Sequence, residues 1–275
     1  MMGRLSRWVI LVVPGVLVVP VMQGCGTPNS SATSDESSTT TASAIPRLGD
    51  FTARADVPVD ADIEIGRSVE GRQISVIRRG DPMGARVIVV GCIHGDESAG
   101  MDIVAELKRT TATRGVDLWL VPTMNPDGTS ARIRHNAHGV DLNRNFPPTW
   151  QPLAAAGNWE YGGPSAASEP ETRAMLALGD LVAPDLVLWY HQDLNRISPA
   201  SGRQGAIRAR YAELAGLPLI GVSGGTYTGT ANRWGKSVVS ARGASFTVEL
   251  GPTLDADQVR RHAAAVVRVA REFFP

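Results

Sequence analysis

The stretch "VIVVGCIHGDESAG", residues 87–100, joins a run of β-branched apolar residues directly to three ionisable side chains, His94, Asp96 and Glu97. A short apolar run of this composition predicts a buried β-strand. Ionisable groups are costly to bury beside such a strand unless they have partners or a function. Because open α/β sheets bind ligands beyond the carboxyl ends of their strands, the stretch indicates a functional site where this strand ends.

The sequence from about residue 45 onward alternates strand-like and helix-like segments, which is typical of an α/β layer fold. The predicted strands are 86–94, 117–125, 185–192 and 243–251, and the predicted helices are 98–110, 168–183, 202–216 and 255–273. Ser168 and Glu171 have the spacing of a capping box, with Pro170 in the first helical turn. Each predicted strand ends in polar residues: Cys92 to His94, Asn125 to Gly128, His191 to Asp193, and Glu249. We expect these groups to meet at one edge of the sheet.

Composition excludes some classes of protein. The 275 residues contain 27 Lys and Arg and 27 Asp and Glu, for a net charge of zero, so no sequence-wide basic surface predicts a nucleic-acid partner. The two cysteines do not suggest a disulfide framework. The length suffices for a large α/β domain.

The first 45 residues predict export and a tether. Arg4 and Arg7 precede the apolar run 8–22, which is short and is interrupted by prolines, so residues 1–24 read as a signal peptide. "VMQGCG", residues 21–26, resembles a bacterial lipobox with Cys25 as the lipid acceptor, and the alternatives are ordinary secretory cleavage nearby or an uncleaved anchor. Residues 25–45 are rich in Ser and Thr and predict a flexible tether, followed by a catalytic domain over 46–275. We therefore expect a lipoprotein at the outer face of the cytoplasmic membrane, or a secreted protein.

His94, Glu97 and His191 have the types and spacing of the ligands of a hydrolytic zinc site. Such sites take two ligands close in sequence, a third far away, and leave a position open. A structural, hydrogen-bonded histidine is the alternative for each His alone. Together with the motifs below, the three residues predict a site for one zinc ion.

Glu249 lies in "FTVELGP", between Val248 and Leu250, where an unpaired carboxylate would be costly. A structural ion pair near the surface is the alternative. A carboxylate beside a metal site has a chemical reason to be there, because it can move a proton from water to a leaving nitrogen.

The segment 125–147, "NPDGTSARIRHNAHGVDLNRNFP", concentrates Arg132, Arg134 and Arg144 with Asn136, Asn143 and Asn145. Arginine recognises carboxylates through two parallel hydrogen bonds and neutralises oxyanions. A solvated basic loop is the alternative, and "NPDG" taken alone is a turn sequence. The density of these groups favours an acidic substrate.

"HGDE", "NPDG", "GVDLNRNFP", "SEPET", His191 and the "VEL" glutamate, in this order over most of residues 63–251, resemble the zinc metallocarboxypeptidases of the carboxypeptidase A type. The resemblance implies a three-layer α/β/α fold with a central mixed, mostly parallel twisted sheet. It also implies that His94, Glu97 and His191 bind zinc and that Glu249 is the general base and acid.

The resemblance further assigns substrate contacts around the zinc. Arg134 would polarise the scissile carbonyl, Asn143 and Arg144 would hold the terminal carboxylate, and Asp141 would orient His94. Tyr227 matches a tyrosine that closes over substrate, although fewer residues separate it from Trp234 than the digestive enzymes lead us to expect. A tyrosine at the rim with no such role is the alternative.

The short catalytic region and the form of the segment 134–147 resemble the bacterial murein peptide amidase branch. That branch implies hydrolysis of γ-D-glutamyl-diaminopimelate in cell-wall peptides, and we expect a peptide substrate and a monomer. Two alternatives stay open: an N-acyl amino acid deacylase of the succinylglutamate desuccinylase and aspartoacylase type, and a non-catalytic wall-peptide-binding lipoprotein.

Overall fold

The structure is a computed structural model, and it describes residues 45–110, 114–221 and 225–275. Its centre is a six-stranded mixed sheet with strand order β1-β2-β4-β3-β5-β6. The strands are β1 (Asp62–Arg67), β2 (Gln73–Gly80), β3 (Ala85–Val90), β4 (Val116–Val121), β5 (Leu186–Gln192) and β6 (Ala244–Leu250). The pairs β1/β2 and β2/β4 are antiparallel, and the pairs β3/β4, β3/β5 and β5/β6 are parallel.

Helices cover both faces of the sheet. They are α1 (Gly100–Arg109), α2 (Pro126–Ala131), α3 (Pro170–Val182), α4 (Gly202–Ala215), α5 (Ala231–Val238) and α6 (Ala256–Phe273). The apolar residues of α1, α4 and α6 form one core with one face of the sheet, and those of α3 and α5 form a second core with the other face. The predicted three-layer architecture with a mostly parallel sheet is therefore confirmed.

The central strands follow from their sequence. All six residues of β4 are buried, as are the first six of β5. Parallel strands covered on both faces read as continuous apolar runs, which is why the sequence predicts them. β1 and β2 were not among the predicted strands because polar residues interrupt their apolar pattern, as Glu64 does in β1 and Arg78 does in β2.

Two helix starts differ from the sequence prediction. Helix α3 begins at Pro170, and its N-cap residue is Glu169, so the expected capping box of Ser168 and Glu171 is absent. The hydroxyl of Ser168 instead donates to the Glu169 carboxylate at 2.7 Å. The "NPDG" turn continues into the short helix α2, because the side chain of Asn125 accepts a hydrogen bond from the Gly128 amide at 2.9 Å.

Four parallel strands, β4, β3, β5 and β6, bring their carboxyl ends to the same edge of the sheet, where the side chain of Asn125, after β4, donates to the carbonyl of Ile93, after β3. His94 lies in the loop after β3, and His191 lies in β5 directly opposite Glu249 in β6. The predicted meeting of polar strand ends is thus present at this edge.

The signal peptide, Cys25 and all but the last residue of the tether lie outside the described residues. In the part of the chain that the structure does describe, no helix is both long and apolar enough to cross a membrane.

Candidate metal centre

Three side chains of ligand type converge where β3 and β5 end. Nδ1 of His94 lies 2.9 Å from Oε1 of Glu97, and Nδ1 of His191 lies 2.8 Å from Oε2 of the same carboxylate. The amide of Glu97 donates to the carbonyl of His94 at 2.9 Å, a turn that brings both side chains to one side of the loop. One ligand atom from each residue lies within 4.8 Å of the other two. The structure therefore brings together the residues predicted to bind the metal.

Asp141 fixes the ring of His94. Nε2 of His94 donates to Oδ1 of Asp141 at 3.1 Å, so Nδ1 faces Glu97. Burial of Asp141 opposes its ionisation, but His94, Arg134 and Arg144 together hold the pKa of this carboxyl well below its usual range. A carboxylate on the second ring nitrogen is the usual way to orient a metal-binding histidine, and the geometry is the one predicted for Asp141.

The chemistry of this donor set fits zinc. Two imidazole nitrogens and one carboxylate are a common ligand set for hydrolytic zinc. Burial opposes the ionisation of Glu97, but hydrogen bonds with His191 and His94 lower its pKa below the usual range, so the group is anionic. One nitrogen of the Arg134 guanidinium lies 3.2 Å from both His94 Nδ1 and Glu97 Oε1. These ligand atoms thus already attract a cation.

Glu249 lies opposite His191 in the paired strands β5 and β6, and it lines the same cavity as both histidines. Burial raises the pKa of its carboxyl, and the nearby charge of Glu97 adds to this, while His191 and His94 act in the opposite direction. Among the described residues, no side chain forms an ion pair with Glu249. A carboxylate with a raised pKa beside a metal site has the properties of a general base and acid.

Arg134 is held from two sides. Its guanidinium makes two hydrogen bonds to Oδ2 of Asp141, at 2.8 and 3.2 Å, and it stacks on the exposed ring of Trp159 at 4.9 Å. It thus lies beside the three candidate metal ligands, and its role in polarising a carbonyl stays a prediction. Trp159 was not expected from the sequence.

Asn143 and Arg144 lie next to each other on the cavity wall. The side-chain oxygen Oδ1 of Asn143 accepts a hydrogen bond from the backbone amide of Ala231 at 3.0 Å, which ties the side chain to the start of α5. Arg144 is 4% exposed, and it donates to Oε1 of Glu160 at 2.8 Å. Its Nε is buried and has no acceptor among the described residues.

Glu160 is a neighbour that sequence reasoning missed. It lies in an irregular stretch without a recognisable motif, so only the fold shows that its carboxylate pairs with Arg144. The predicted carboxylate anchor therefore already binds one carboxylate of the chain itself.

Tyr227 lies at the rim of the cavity. Its side chain is 43% exposed, and Arg144 lies over its ring at 5.3 Å. Closure of Tyr227 over a substrate stays a prediction.

Asn136 and Asn145 of the same segment bond to other parts of the chain. Asn136 donates to Glu169 and Glu171, and Asn145 donates to the carbonyl of Gly162. Arg132 is exposed at the end of α2. The sequence alone did not separate these residues from the ones that reach the site.

The site opens into a cavity of about 790 Å³. Its wall contains the metal group, Glu249, Arg134, Asn143, Arg144 and Tyr227, and it continues to four residues that the sequence analysis did not single out. These are Ser198, Arg208, Arg233 and Lys236. One continuous space thus joins the metal group to a basic region.

Comparison with known proteins agrees with this geometry. Residues 61–192 match the model of the zinc carboxypeptidase family. The catalytic chain of human carboxypeptidase N is 32% identical over 188 residues, covering 54% of this chain and 38% of that protein. Murein peptide amidase A of Escherichia coli K12 is 29% identical over 158 residues, covering 54% of this chain and 64% of that protein. The chain thus spans less than two thirds of each of these curated relatives.

Solved structures share the fold. The murein-tripeptide amidase from Escherichia coli O157 superposes with a TM-score of 0.61 at 25% identity, covering 79% of this chain and 94% of that one. Carboxypeptidase A from Helicoverpa armigera superposes with a TM-score of 0.64 at 20% identity, covering 78% and 69%.

Proposed function

We propose that this chain, whose residues 61–192 match the zinc carboxypeptidase family, is an exported amidase that removes a residue with a free terminal carboxylate from cell-wall peptides. The bond that it hydrolyses would be an amide such as the one between γ-D-glutamate and diaminopimelate. The observation that carries the proposal is the single cavity that holds the metal group, Glu249 and the pair Asn143 and Arg144. The match of residues 61–192 to this family supports a zinc metallopeptidase or amidase, and the proposal adds its substrate.

Each residue of the site has a role in this reaction. Zinc, when bound by His94, Glu97 and His191, supplies Lewis-acid polarisation and makes water more acidic. Glu249 takes a proton on its carboxylate from the attacking water and delivers it to the leaving nitrogen. Arg134 donates hydrogen bonds to the oxygen of the scissile carbonyl as negative charge develops there.

Arg144 and Asn143 would hold the substrate's terminal carboxylate. The Arg144 fork matches a carboxylate in shape and charge, and its pairing with Glu160 demonstrates that a carboxylate fits against it. In the complex, the substrate's carboxylate would share or replace the contact with Glu160. An anchor in the same cavity as the metal group would hold the scissile bond beside Glu249. Such positioning raises turnover as well as binding.

A cell-wall substrate is supported by two kinds of observation. The relatives include proteins named murein peptide amidase, and the N-terminal residues have the order of a signal, a lipobox-like "GC" and a Ser/Thr-rich segment. An enzyme tethered by Cys25 at the outer face of the cytoplasmic membrane, acting there as a monomer, would meet wall peptides directly.

The test compares free and blocked substrates. The zinc-loaded full chain is incubated with L-Ala-γ-D-Glu-diaminopimelate, the same tripeptide amidated at the carboxylate next to the scissile nitrogen, an ordinary blocked dipeptide and an N-acyl amino acid, with products followed by mass spectrometry. We expect rapid cleavage of the free tripeptide and little cleavage of its amide.

A pair of variants tests whether Arg144 binds the terminal carboxylate of the substrate. Arg144→Gln should reduce cleavage of the free acid and narrow its advantage over the amide, whereas Arg132→Gln, in the same loop but exposed, should leave both unchanged. Equal rates on acid and amide by the parent would indicate an endopeptidase. Cleavage of the N-acyl amino acid alone would indicate a deacylase, and zinc binding without any turnover would indicate a binding protein.

A further inference from the structure

The far wall of the cavity is built around a buried arginine. Arg208 belongs to α4, and its side chain passes over the ring of Phe246 at 5.7 Å to the edge strand β6. It donates to the carbonyl of Ser198 at 2.9 Å and to the carbonyl of Ser245 at 3.4 Å. Only 7% of the residue is exposed, and its Nε has no acceptor among the residues that the structure describes.

Arg208 has no carboxylate partner in the part of the chain that the structure describes. Buried guanidinium groups are normally paired, because taking a charge out of water costs several kcal/mol in order of magnitude. The two backbone carbonyls accept some of the hydrogen bonds that Arg208 can donate, but they do not neutralise its charge. An arginine on the cavity wall without a carboxylate partner favours the binding of a negatively charged ligand group.

Helix α5 adds further positive charge to the same wall. Lys236 and Arg233 both line the cavity, and neither forms an ion pair with a described residue. Burial, and then the charges of Arg208 and Arg233, lower the pKa of Lys236. The two carboxylates on the cavity wall are Glu97 and Glu249, and both belong to the metal centre. The region around Arg208 is therefore uniformly basic.

The geometry of β6 connects this region to the reacting bond. Ser245, Thr247 and Glu249 alternate with the core residues of the strand and so share one face. With a rise of about 3.3 Å per residue, the backbone of Ser245, to which Arg208 bonds, lies about 13 Å along the strand from Glu249. Thr247 lines the cavity halfway between them, at about 7 Å. From a scissile nitrogen beside Glu249, the side chain of the leaving residue would run along this face past Thr247 towards Arg208 and Lys236, which line the same cavity.

We infer that Arg208 and Lys236 select a leaving residue whose side chain carries its own carboxylate, such as glutamate or diaminopimelate. The inference rests on the proposed function, because it treats the basic region as the pocket for the side chain of the residue that is released. Arg144 would hold the terminal carboxylate, and Arg208 with Lys236 would hold the second one. Neither residue then acts on the reacting atoms, and both determine specificity.

The experiment uses the zinc-loaded full chain and four peptides that differ only in the leaving residue: Glu, Gln, Leu or Lys. We expect kcat/KM for Glu to exceed that for Gln by about ten- to a hundredfold, the range of one hydrogen bond between charged groups. Leu and Lys should be poorer still. Calorimetric titration with free glutamate and glutamine requires no turnover, and it should show tighter binding of glutamate than of glutamine.

Variants separate specificity from folding. Arg208→Gln and Lys236→Gln should each bring the ratio of Glu to Gln towards one, and Lys236→Glu should favour Lys as the leaving residue. Because Lys236 is exposed at the rim, its variants test the inference even if Arg208→Gln does not fold. Arg210→Gln, on the same helix but paired with Glu272 outside the cavity, should leave the ratio unchanged.

Two failures can be told apart. Cleavage of all four peptides at equal rates, or a ratio that neither variant changes, overturns the inference and leaves the proposed function intact. Absence of cleavage of every peptide with a free carboxylate, the murein tripeptide included, overturns the proposed function and the inference with it.

Discussion

Glu249 depends on its surroundings for its chemistry. Burial raises the pKa of its carboxyl, and the neighbouring Glu97 charge adds to the effect. A base with a raised pKa is better able to accept a proton from water and to give it up again to a leaving nitrogen. Its position opposite His191, fixed by the pairing of β5 with β6, puts that property next to the metal group.

Replacing Glu249 by Gln should abolish nearly all turnover while leaving the fold and the zinc content unchanged. The amide keeps the shape of the side chain but cannot accept the proton, and such groups typically contribute about 10²–10⁴-fold to the rate. Steady-state kinetics on the murein tripeptide measures the loss, with Glu106→Gln on α1 as a control away from the cavity. A Glu249→Gln rate within about threefold of the parent would remove Glu249 from the mechanism.

Replacing His191 by Ala should lower the zinc content of the purified chain from one ion towards none, because the site would lose one of three ligands. Zinc is measured by elemental analysis after dialysis, and activity is measured in parallel. His138→Ala is the matched control, since His138 bonds Glu169 away from the cavity. Full zinc occupancy together with full activity in His191→Ala would show that the metal binds elsewhere.

At the scale of elements, the packing of α6 against α4 and β5 contains a polar network inside an apolar core. The hydroxyls of Tyr190 and Tyr211 are 2.7 Å apart, and that of Tyr211 lies 2.9 Å from Nδ1 of His262. Burial, with a smaller contribution from the charge of Arg261, lowers the pKa of His262 from 6.5 to about 4. His262 is therefore neutral in the folded protein at neutral pH.

This network predicts a loss of stability in acid. Between pH 6.5 and about 4 the unfolded chain binds a proton on His262 that the folded chain does not, so the free energy of unfolding decreases as the pH falls through this window. The contribution is complete above pH 6.5 and changes by at most about 3 kcal/mol.

His262→Gln should remove this part of the pH dependence, because glutamine can still accept from Tyr211 but does not titrate. Urea unfolding, followed by tryptophan fluorescence at several pH values in this window, measures the effect. The difference in stability between parent and variant should shrink or reverse in acid. Parallel stability profiles for the two proteins would contradict the prediction.

At the scale of the whole molecule, the proposal that the enzyme works outside the cytoplasm depends on residues that precede the folded part. Cys25→Ser should abolish lipid labelling and release the protein from the membrane fraction, since acylation at the lipobox-like cysteine would be its attachment. Metabolic labelling with a fatty acid, followed by membrane fractionation, measures both. Cys92→Ser is the matched control, because Cys92 is a buried free cysteine of the folded domain. Unchanged labelling and fractionation in Cys25→Ser would rule out the anchor.

Features that depend on local pattern could be predicted from the sequence. Apolar runs predicted β3, β4, β5 and β6, and the spacing of His94 and Glu97 with a distant His191 predicted the metal group. A strand that is buried on both faces is a continuous apolar run in the sequence, and the polar residues that follow the run lie at the end of the strand. Both features can therefore be predicted from neighbouring residues.

The bonding partners of the polar residues around the cavity follow from tertiary contacts. Within one short segment, Asn143 and Arg144 face it, whereas Asn136 and Asn145 bond the chain to itself. The pairing of Arg144 with Glu160 depends on folding, and so does the position of Arg208, which has no carboxylate partner among the described residues, on the same cavity wall as Lys236. The physical reason is that charge pairing and burial arise from contacts between residues far apart in sequence, which a local pattern does not encode.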